Sequence, residues 1–292
     1  DNINHLLSWR LAGGETCFLG DADGLIVRPD FFAAVAAEIR SLFPTISRFT
    51  IYGRTATAAR RKNADELAAF SGAGLDRVHF GLESGCDEVL EFVRKGETRQ
   101  DHLKGCLKTK EAGISCSVYV MPGLGGKQWS AAHARDTAAL LSEIAPDYIR
   151  LRTLEIFPQT PLAKARDRGA FTELEEEEVV REIKSLVDNI DAEAMLLSDS
   201  AANLLDISGR LPQDREKMQN TIENYLALSE REKALFSLRA RIRAFEGQYG
   251  GLSEELHQEL SAWITDGALD VSKIPTDEAR ALTRRIRARL MP

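Results

Sequence analysis

Acidic and small residues occupy two turns that each follow a short apolar run. The first turn, GDADGL at residues 20–25, contains Asp21, Ala22 and Asp23, and the second, GLESG at residues 81–85, contains Glu83 and Ser84. Two carboxylates in one turn favour a bound cation, and a glutamate accepts hydrogen bonds well from vicinal hydroxyls. Simpler structural roles stay open, because Asp23 can cap a turn and Ser84, followed by Asp87, can cap a helix.

Three better-known motifs are excluded by their spacing. GLGGK at residues 123–127 lacks the Ser or Thr of a phosphate-binding loop, since Gln128 follows the lysine. In DADG at residues 21–24, the glycine comes two positions too early for a calcium loop. The serine of GLESG is one position too late for a nucleophile elbow. The sequence therefore assigns no catalytic residue.

The chain contains four cysteines, Cys17, Cys86, Cys106 and Cys116, and no two of them form a C-x-x-C pair. They are too few and too scattered for a disulfide framework. Taken alone, they are interpreted as small core or helix residues, and no metal ligand is predicted.

Short apolar runs alternate with amphipathic helices from Thr16 onward, as in the β-α units of a parallel sheet. The predicted strands are residues 16–19, 48–52, 77–80, 115–121, 148–154 and 194–197. Right-handed crossovers place the strand-to-helix loops of such a sheet on one face. We therefore expect the two acidic turns to lie at the same edge of the sheet.

Local signals mark the ends of several helices. Thr98 with Asp101 predicts a capped helix start, and Ser130 is predicted to cap the next helix, which Pro146 ends. An apolar stripe is predicted for the first outer helix: Phe31, Val35, Ile39 and Leu42.

The strand signals stop after about Pro212. Residues 213–249 predict one or two helices, and residues 253–265 and 276–290 predict one helix each. The predicted organisation is a (β/α) domain over residues 1–212 and a helical appendage over residues 213–292. Five arginines crowd into the last helix: Arg280, Arg284, Arg285, Arg287 and Arg289. A basic helix can hold an RNA backbone or an acidic partner, although a solvated face is the default interpretation.

The composition is that of a globular protein, with 43% apolar and 28% charged residues. These values exclude collagen-like, disordered and disulfide-dense classes. The net charge of -7 disfavours nucleic acid and acidic membranes except through a local patch. The sequence contains neither an apolar run of membrane-spanning length nor a secretory signal at its start, so it predicts a cytoplasmic protein without membrane contact.

In order and spacing, the loops at residues 20–25, 81–85, 121–126 (MPGLGG) and 157–162 (FPQTPL) resemble those of the radical S-adenosylmethionine (radical SAM) superfamily. The similar branch includes the Elongator catalytic subunit and the tRNA methylthiotransferases. The resemblance runs from about Thr16 to Leu162 and is strongest over residues 77–126. It implies an α/β fold, an incomplete TIM-like (β/α) barrel with a helical C-terminal extension.

The same resemblance implies a function and a set of cofactor contacts. An electron donor and a reduced [4Fe-4S] cluster cleave SAM to a 5'-deoxyadenosyl radical, which removes hydrogen from a substrate. Residues 21–23 stand at the turn that holds the methionine ammonium, and Glu83 and Ser84 stand where the ribose or methionine is bound. Val120 lies on a strand that receives adenine. Arg152, near a strand end, is a candidate partner for a carboxylate of the cofactor or substrate, and a structural salt bridge is an equal alternative.

One feature of the superfamily is missing from this sequence. The cluster is held by C-x-x-x-C-x-x-C, and no such triplet occurs here. The first segment reads as a helix already under way, so the cluster ligands are expected upstream of Asp1. A non-catalytic barrel module without the cluster is the alternative function, and a cluster-free barrel enzyme is a third. The substrate class stays open between an RNA base, a small molecule and a peptide.

Overall fold

A computed structural model describes residues 2–20, 22–265 and 268–290 of the chain. Seven strands form one sheet in the order in which they occur along the chain, and helices connect most of them. The strands are β1 (Thr16–Leu19), β2 (Arg48–Gly53), β3 (Leu75–Glu83), β4 (Ser115–Val120), β5 (Tyr148–Leu151), β6 (Ala194–Leu197) and β7 (Gly209–Leu211). The first four strands pair in parallel. The predicted fold class, an incomplete TIM-like (β/α) barrel with a helical C-terminal extension, is confirmed.

Thirteen α-helices complete the described fold. They are α1 (Asn2–Leu11), α2 (Pro29–Leu42), α3 (Thr55–Arg60), α4 (Ala64–Gly72), α5 (Asp87–Phe92), α6 (Arg99–Glu111), α7 (Gly126–Ile144), α8 (Pro161–Asp167), α9 (Glu176–Asn189), α10 (Arg215–Leu226), α11 (Glu230–Tyr249), α12 (Glu254–Leu260) and α13 (Thr276–Arg287). A small hairpin of β8 (Ile264–Thr265) and β9 (Ala268–Leu269) lies between the last two helices in the chain. No helix in the described part of the chain is long and apolar enough to cross a membrane.

The chain divides into two compact units. The first unit comprises Asp1–Val120, Asp136–Arg150 and Asp191–Met195, and the second comprises Met121–Arg135, Leu151–Ile190 and Leu196–Pro292. This division follows local compactness and differs from the predicted domain boundary at residue 212, which stays a prediction.

Two faces of the sheet differ in the first unit. Phe49 of β2 packs against Phe32 of α2, and Phe32 also contacts Phe70 of α4, so this face is covered by helices. Because side chains alternate along a strand, Thr50 and Tyr52 of the same strand point to the opposite face. We therefore look for the functional site on this opposite face, where Tyr52 is partly exposed.

Several local predictions are confirmed and others are wrong. The capping box of Thr98 and Asp101 begins α6, as predicted. By contrast, α7 begins at Gly126, and the Ser130 hydroxyl donates to Glu182 instead of capping a helix. The buried side of α2 is formed by Phe32 and Ala36, one position from the predicted stripe, because the sheet lies on that side of the helix.

The second unit contains corrections of the same kind. Strand β7 was not predicted, since three residues carry almost no periodic signal. The helix predicted over residues 253–265 ends at Leu260 and is followed by a short 3-10 turn and β8. Helices α11, α12 and α13 share a core that includes Leu238, Leu256 and Ile286.

Most of the arginine-rich surface of α13 is neutralised locally. In the described part of the second unit, three of the four arginines of α13, and Arg289 just after the helix, form ion pairs with glutamates. These pairs are Arg280–Glu230, Arg285–Glu259, Arg287–Glu155 and Arg289–Glu255, at 2.6, 2.9, 2.6 and 3.0 Å. This pairing leaves little unbalanced positive charge for an RNA backbone.

Candidate functional site

Asp23 joins the first acidic turn to the start of α3. One carboxylate oxygen accepts a hydrogen bond from the Arg54 backbone N–H at 3.0 Å, and the other accepts from the Thr57 hydroxyl at 2.6 Å. Ala22 beside it is exposed. Asp21, the third predicted residue of this turn, lies outside the described residues. Asp23 therefore holds the loop after β1 at the carboxyl edge of the sheet.

Glu83 ends β3 in a left-handed backbone conformation, with φ of +64°. It pairs in register with Val120 at the end of β4. One carboxylate oxygen lies 3.2 Å from the Lys95 ammonium, and the side chain is 21% exposed. The other oxygen has no hydrogen-bond partner within the described chain. A Cβ at Gly81 would collide with the Glu83 carboxylate, so this glycine makes room for the side chain.

Glu97 is a buried carboxylate that is not among the predicted site residues. It accepts hydrogen bonds from the Thr55 hydroxyl and the Ala56 backbone N–H, both at 2.8 Å. It also faces Arg54 at 3.4 Å and Lys95 at 3.9 Å. Glu97 therefore connects the start of α3 to the segment that carries the partner of Glu83. The nearest signal in the sequence is KGET at residues 95–98, where a lysine and a glutamate flank a glycine.

His102 supports this network from α6. Its Nδ1 lies 2.7 Å from the Thr55 hydroxyl oxygen. Because that hydroxyl donates to Glu97, it accepts from His102, which places the ring proton on Nδ1. Burial lowers the pKa of His102 to about 4, so the ring is neutral at pH 7. The hydrogen-bonded group of Thr55, Glu97 and His102 therefore places the Glu97 carboxylate between the cations of Arg54 and Lys95.

Hydrogen bonds from backbone N–H groups fix the loop after Glu83. Ser84 is fully buried, and its hydroxyl accepts a hydrogen bond from the Cys86 N–H at 3.0 Å. The Gly85 N–H donates to the Thr137 hydroxyl at 2.8 Å. A Cβ at Gly85 would lie 2.6 Å from the Asp136 carbonyl oxygen, so only glycine allows this approach. The cap residue of α5 is Cys86, which corrects the predicted cap by Ser84 and Asp87.

The structure brings three of the predicted site residues to one edge of the first unit. Asp23, Glu83 and Val120 all lie at the carboxyl ends of β1, β3 and β4, and Arg54, Lys95 and Glu97 connect the first two. Arg152 belongs to the second unit, where it forms an ion pair with Asp199 at 3.2 Å.

The cysteines do not fit a [4Fe-4S] cluster. Within residues 2–20, 22–265 and 268–290, the one group of three potential metal ligands is Cys86, Glu88 and Asp136, which contains a single thiol. Burial raises the pKa of Cys86 to about 11, and its thiol donates to Glu88 at 3.1 Å. Burial also raises the pKa of Cys106. Three converging thiolates are therefore not supplied by these residues.

A cavity of about 660 Å³ lies among α8 to α11 and α13 in the second unit. Its charged side chains pair with each other, as Lys233 does with Glu177 at 2.8 Å and Arg287 with Glu155 at 2.6 Å. Acidic and basic groups are nearly balanced in its lining, so it shows no preference for one sign of ligand charge.

Known proteins are similar to part of this chain. Residues 6–138 match the family model of the Radical SAM superfamily. The chain is 26% identical to tRNA uridine(34) acetyltransferase of Methanocaldococcus jannaschii over 108 residues. This aligned segment is 37% of this chain and 20% of that protein. It is 31% identical to tRNA-2-methylthio-N(6)-dimethylallyladenosine synthase of Chloroherpeton thalassium over 107 residues. This aligned segment is 36% of this chain and 21% of that protein.

A solved structure shares the fold. The archaeal Methanocaldococcus infernus Elp3 with an N-terminal deletion superimposes with a TM-score of 0.54 at 15% identity, over 87% of this chain and 64% of that one. The matches span about a fifth of the length of these curated relatives. Residues 6–138 are therefore similar to the Radical SAM superfamily, and the chain shares the fold of this solved structure.

Proposed function

We propose that this chain provides the SAM-binding barrel of a radical SAM enzyme, with the cofactor at the carboxyl edge of β1, β3 and β4. Glu83 carries the proposal. Its backbone conformation and its ion pair with Lys95 direct one carboxylate oxygen away, with no partner within the described chain. An acceptor in this position fits a ribose hydroxyl or the methionine ammonium.

Alternating charges along the edge suit a zwitterionic cofactor. Asp23, Glu83 and Glu97 supply carboxylates, and Arg54 and Lys95 supply cations between them. Bound SAM carries a sulfonium, an ammonium and a carboxylate, so each of its charges finds an opposite charge nearby. The buried backbone of Ser84 and Gly85 keeps this loop in place without occupying the edge.

The chain's own contribution is binding and orientation. In this superfamily, SAM together with a reduced [4Fe-4S] cluster and an electron donor supplies a 5'-deoxyadenosyl radical for hydrogen abstraction. The cluster does not fit the cysteines present here, so this chain's residues hold the cofactor and exclude water around the reacting group. The names of the curated relatives support tRNA as one substrate class.

Replacing Glu83 with glutamine tests the proposal, because it removes the charge and keeps the size. The affinity for SAM should fall about 10- to 100-fold, the range of a hydrogen bond to a charged group, about 1.5 to 3 kcal/mol. Stability should change by less than about 1 kcal/mol, since the pair with Lys95 is partly exposed. Titration calorimetry and thermal unfolding on the protein from its complete coding sequence measure both.

Glu91→Gln is the matched control, because Glu91 is an exposed residue of α5 in the same segment. It should leave SAM affinity and stability unchanged. Unchanged SAM binding in Glu83→Gln together with a large loss of stability would make Glu83 a structural carboxylate and withdraw the proposed cofactor site.

The second candidate function is a barrel module without radical chemistry. The one group of three potential metal ligands in the described chain contains a single thiol, which favours this alternative. After anaerobic reconstitution with iron and sulfide, residues 1–292 alone should hold no stoichiometric [4Fe-4S] cluster. The protein from its complete coding sequence should show a cluster absorption band and release 5'-deoxyadenosine if it is the enzyme. Absence of both would favour the module, and stoichiometric iron on residues 1–292 alone would contradict the thiol geometry.

A further inference from the structure

Four rings form a contiguous row on the face of the sheet opposite α2 and α4 in the first unit. This ring row consists of Phe18, Tyr52, His79 and Tyr119, one from each of β1 to β4. The ring centroids of Phe18 and Tyr52 lie 4.8 Å apart, and those of His79 and Tyr119 lie 5.9 Å apart. Phe18 is 47% exposed and Tyr52 is 37% exposed. Partly exposed rings on neighbouring strands offer a surface on which a planar ligand can stack.

Three arginines lie on the same face, toward the amino ends of the strands: Arg48, Arg77 and Arg150. Arg77 precedes His79 by two residues and therefore shares its face, about 7 Å away along the strand. The Arg77 guanidinium lies 4.0 Å from the centre of the Tyr148 ring, so Tyr148 and, two residues later, Arg150 also face this side. In the described residues, no carboxylate forms an ion pair with any of the three.

Buried polar atoms without partners occur in the ring row, beside it on β4 and among the arginines. In the part of the chain that the structure describes, His79 Nδ1, Ser117 Oγ and Arg150 Nε have no hydrogen-bond partner. Ser117 is the register partner of His79 and is fully buried. An unpaired buried polar group costs free energy, so these atoms are expected to be paired in the working state of the protein.

Positive charges surround His79, and the nearby Asp147 carboxylate is bound by the Ser115 hydroxyl and the Cys116 N–H and not by these arginines. Burial, followed by the positive charges of Arg150, Arg77 and Arg48, lowers the pKa of His79 to about 4, so the ring is neutral at pH 7. A neutral imidazole and a serine hydroxyl can both donate a hydrogen bond to an anion. The arginines supply the charge and the paired N–H groups that a carboxylate or phosphate accepts.

We propose that this face of β1 to β5 binds a small planar-ring compound with one carboxylate or phosphate group, and that this compound is the substrate. The ring stacks on Phe18 and Tyr52, and the anionic group lies at Arg77 and Arg150. The statement that this compound is the substrate rests on the proposed function. Tyr119 directly precedes Val120, which lies at the edge proposed to bind the cofactor. The net charge of -7 and the paired arginines of α13 favour a free small molecule over an RNA strand.

Two anionic probes with neutral counterparts test the site on the purified chain. These are 4-hydroxybenzoate with 4-hydroxybenzamide, and uridine 5'-monophosphate with uridine. Calorimetry should show binding of at least one anionic probe, about tenfold or more tighter than its neutral counterpart and weakened by added salt. Tighter binding of 4-hydroxybenzoate would identify the ligand class as aromatic acids, and tighter binding of uridine 5'-monophosphate would identify it as nucleotides.

Variants locate the binding on this face. Arg150→Gln and Phe18→Ala should each weaken the bound probe about tenfold or more, with SAM affinity unchanged. Arg239→Gln and Phe31→Ala are matched controls, because Arg239 and Phe31 are exposed elsewhere, and they should change nothing. Thermal unfolding checks each variant, and Arg77→Gln replaces Arg150→Gln if that variant does not fold.

Four results would overturn the inference. The first two are that neither anionic probe binds, and that Arg150→Gln and Phe18→Ala bind the probe as tightly as the unaltered protein does. The other two are that SAM displaces the probe, and that an RNA oligonucleotide binds to the same residues more tightly than uridine 5'-monophosphate. Loss of SAM binding by the unaltered protein would instead count against the proposed function. The two failures are therefore distinguishable.

Discussion

Replacing Glu97 with alanine is expected to lower the free energy of unfolding by about 3 kcal/mol, because each of two hydrogen bonds to this buried charge contributes about 1.5 kcal/mol or more. The change leaves the Thr55 hydroxyl and the Ala56 N–H without their acceptor. It also removes the negative charge that faces Arg54 and Lys95. Denaturant titration followed by circular dichroism measures the loss.

Glu97→Gln separates the hydrogen bonds from the charge. The amide oxygen can still accept from Thr55 and Ala56, so this variant should retain more stability than alanine while losing the pairing with Lys95. Glu111→Ala, at the exposed end of α6, is the control and should stay within about 0.5 kcal/mol of the original protein. A loss of less than about 1 kcal/mol for Glu97→Ala would show that the network does not hold α3 in place.

The second large effect is a pH dependence at Glu182 in the second unit. Burial raises the pKa of Glu182 to about 7, although hydrogen bonds from the Ser130 hydroxyl and the Gly123 N–H oppose the shift. The folded protein therefore favours the protonated form. Its stabilisation is fully present below about pH 4.5 and is lost as the pH rises through about 7, which amounts to about 3 kcal/mol. Stability should fall over this interval because of Glu182.

Glu182→Gln isolates this contribution. The difference in unfolding free energy between the variant and the original protein should move by about 3 kcal/mol in favour of the variant from pH 4.5 to pH 8. A difference is needed because His79 and His102, with pKa values of about 4, give the opposite slope between pH 4 and 6.5. Glu193→Gln, at an exposed position, should follow the original profile. A pH-independent difference for Glu182→Gln would contradict the raised pKa.

The sequence by itself predicted six of the seven strands of the sheet. Strands β1 and β6 have the predicted limits, and the predicted cap of α6 is present, because strand alternation and capping act between residues a few positions apart. The edge location of Asp23 and Glu83 followed from the same pattern, since parallel strands with right-handed crossovers share one carboxyl edge.

Only the tertiary structure decided which groups meet. Glu97 pairs with Thr55 across 42 residues, Arg241 is buried against Glu176 across 65 residues, and the ring row joins four strands. No local spacing encodes such contacts, because they depend on strand register and on which helix covers which face. The sequence also does not predict that His79, Ser117 and Arg150 each have a buried polar atom without a hydrogen-bond partner, because each is an ordinary strand residue there. Their lack of partners arises only when three strands place them side by side in a water-poor interior.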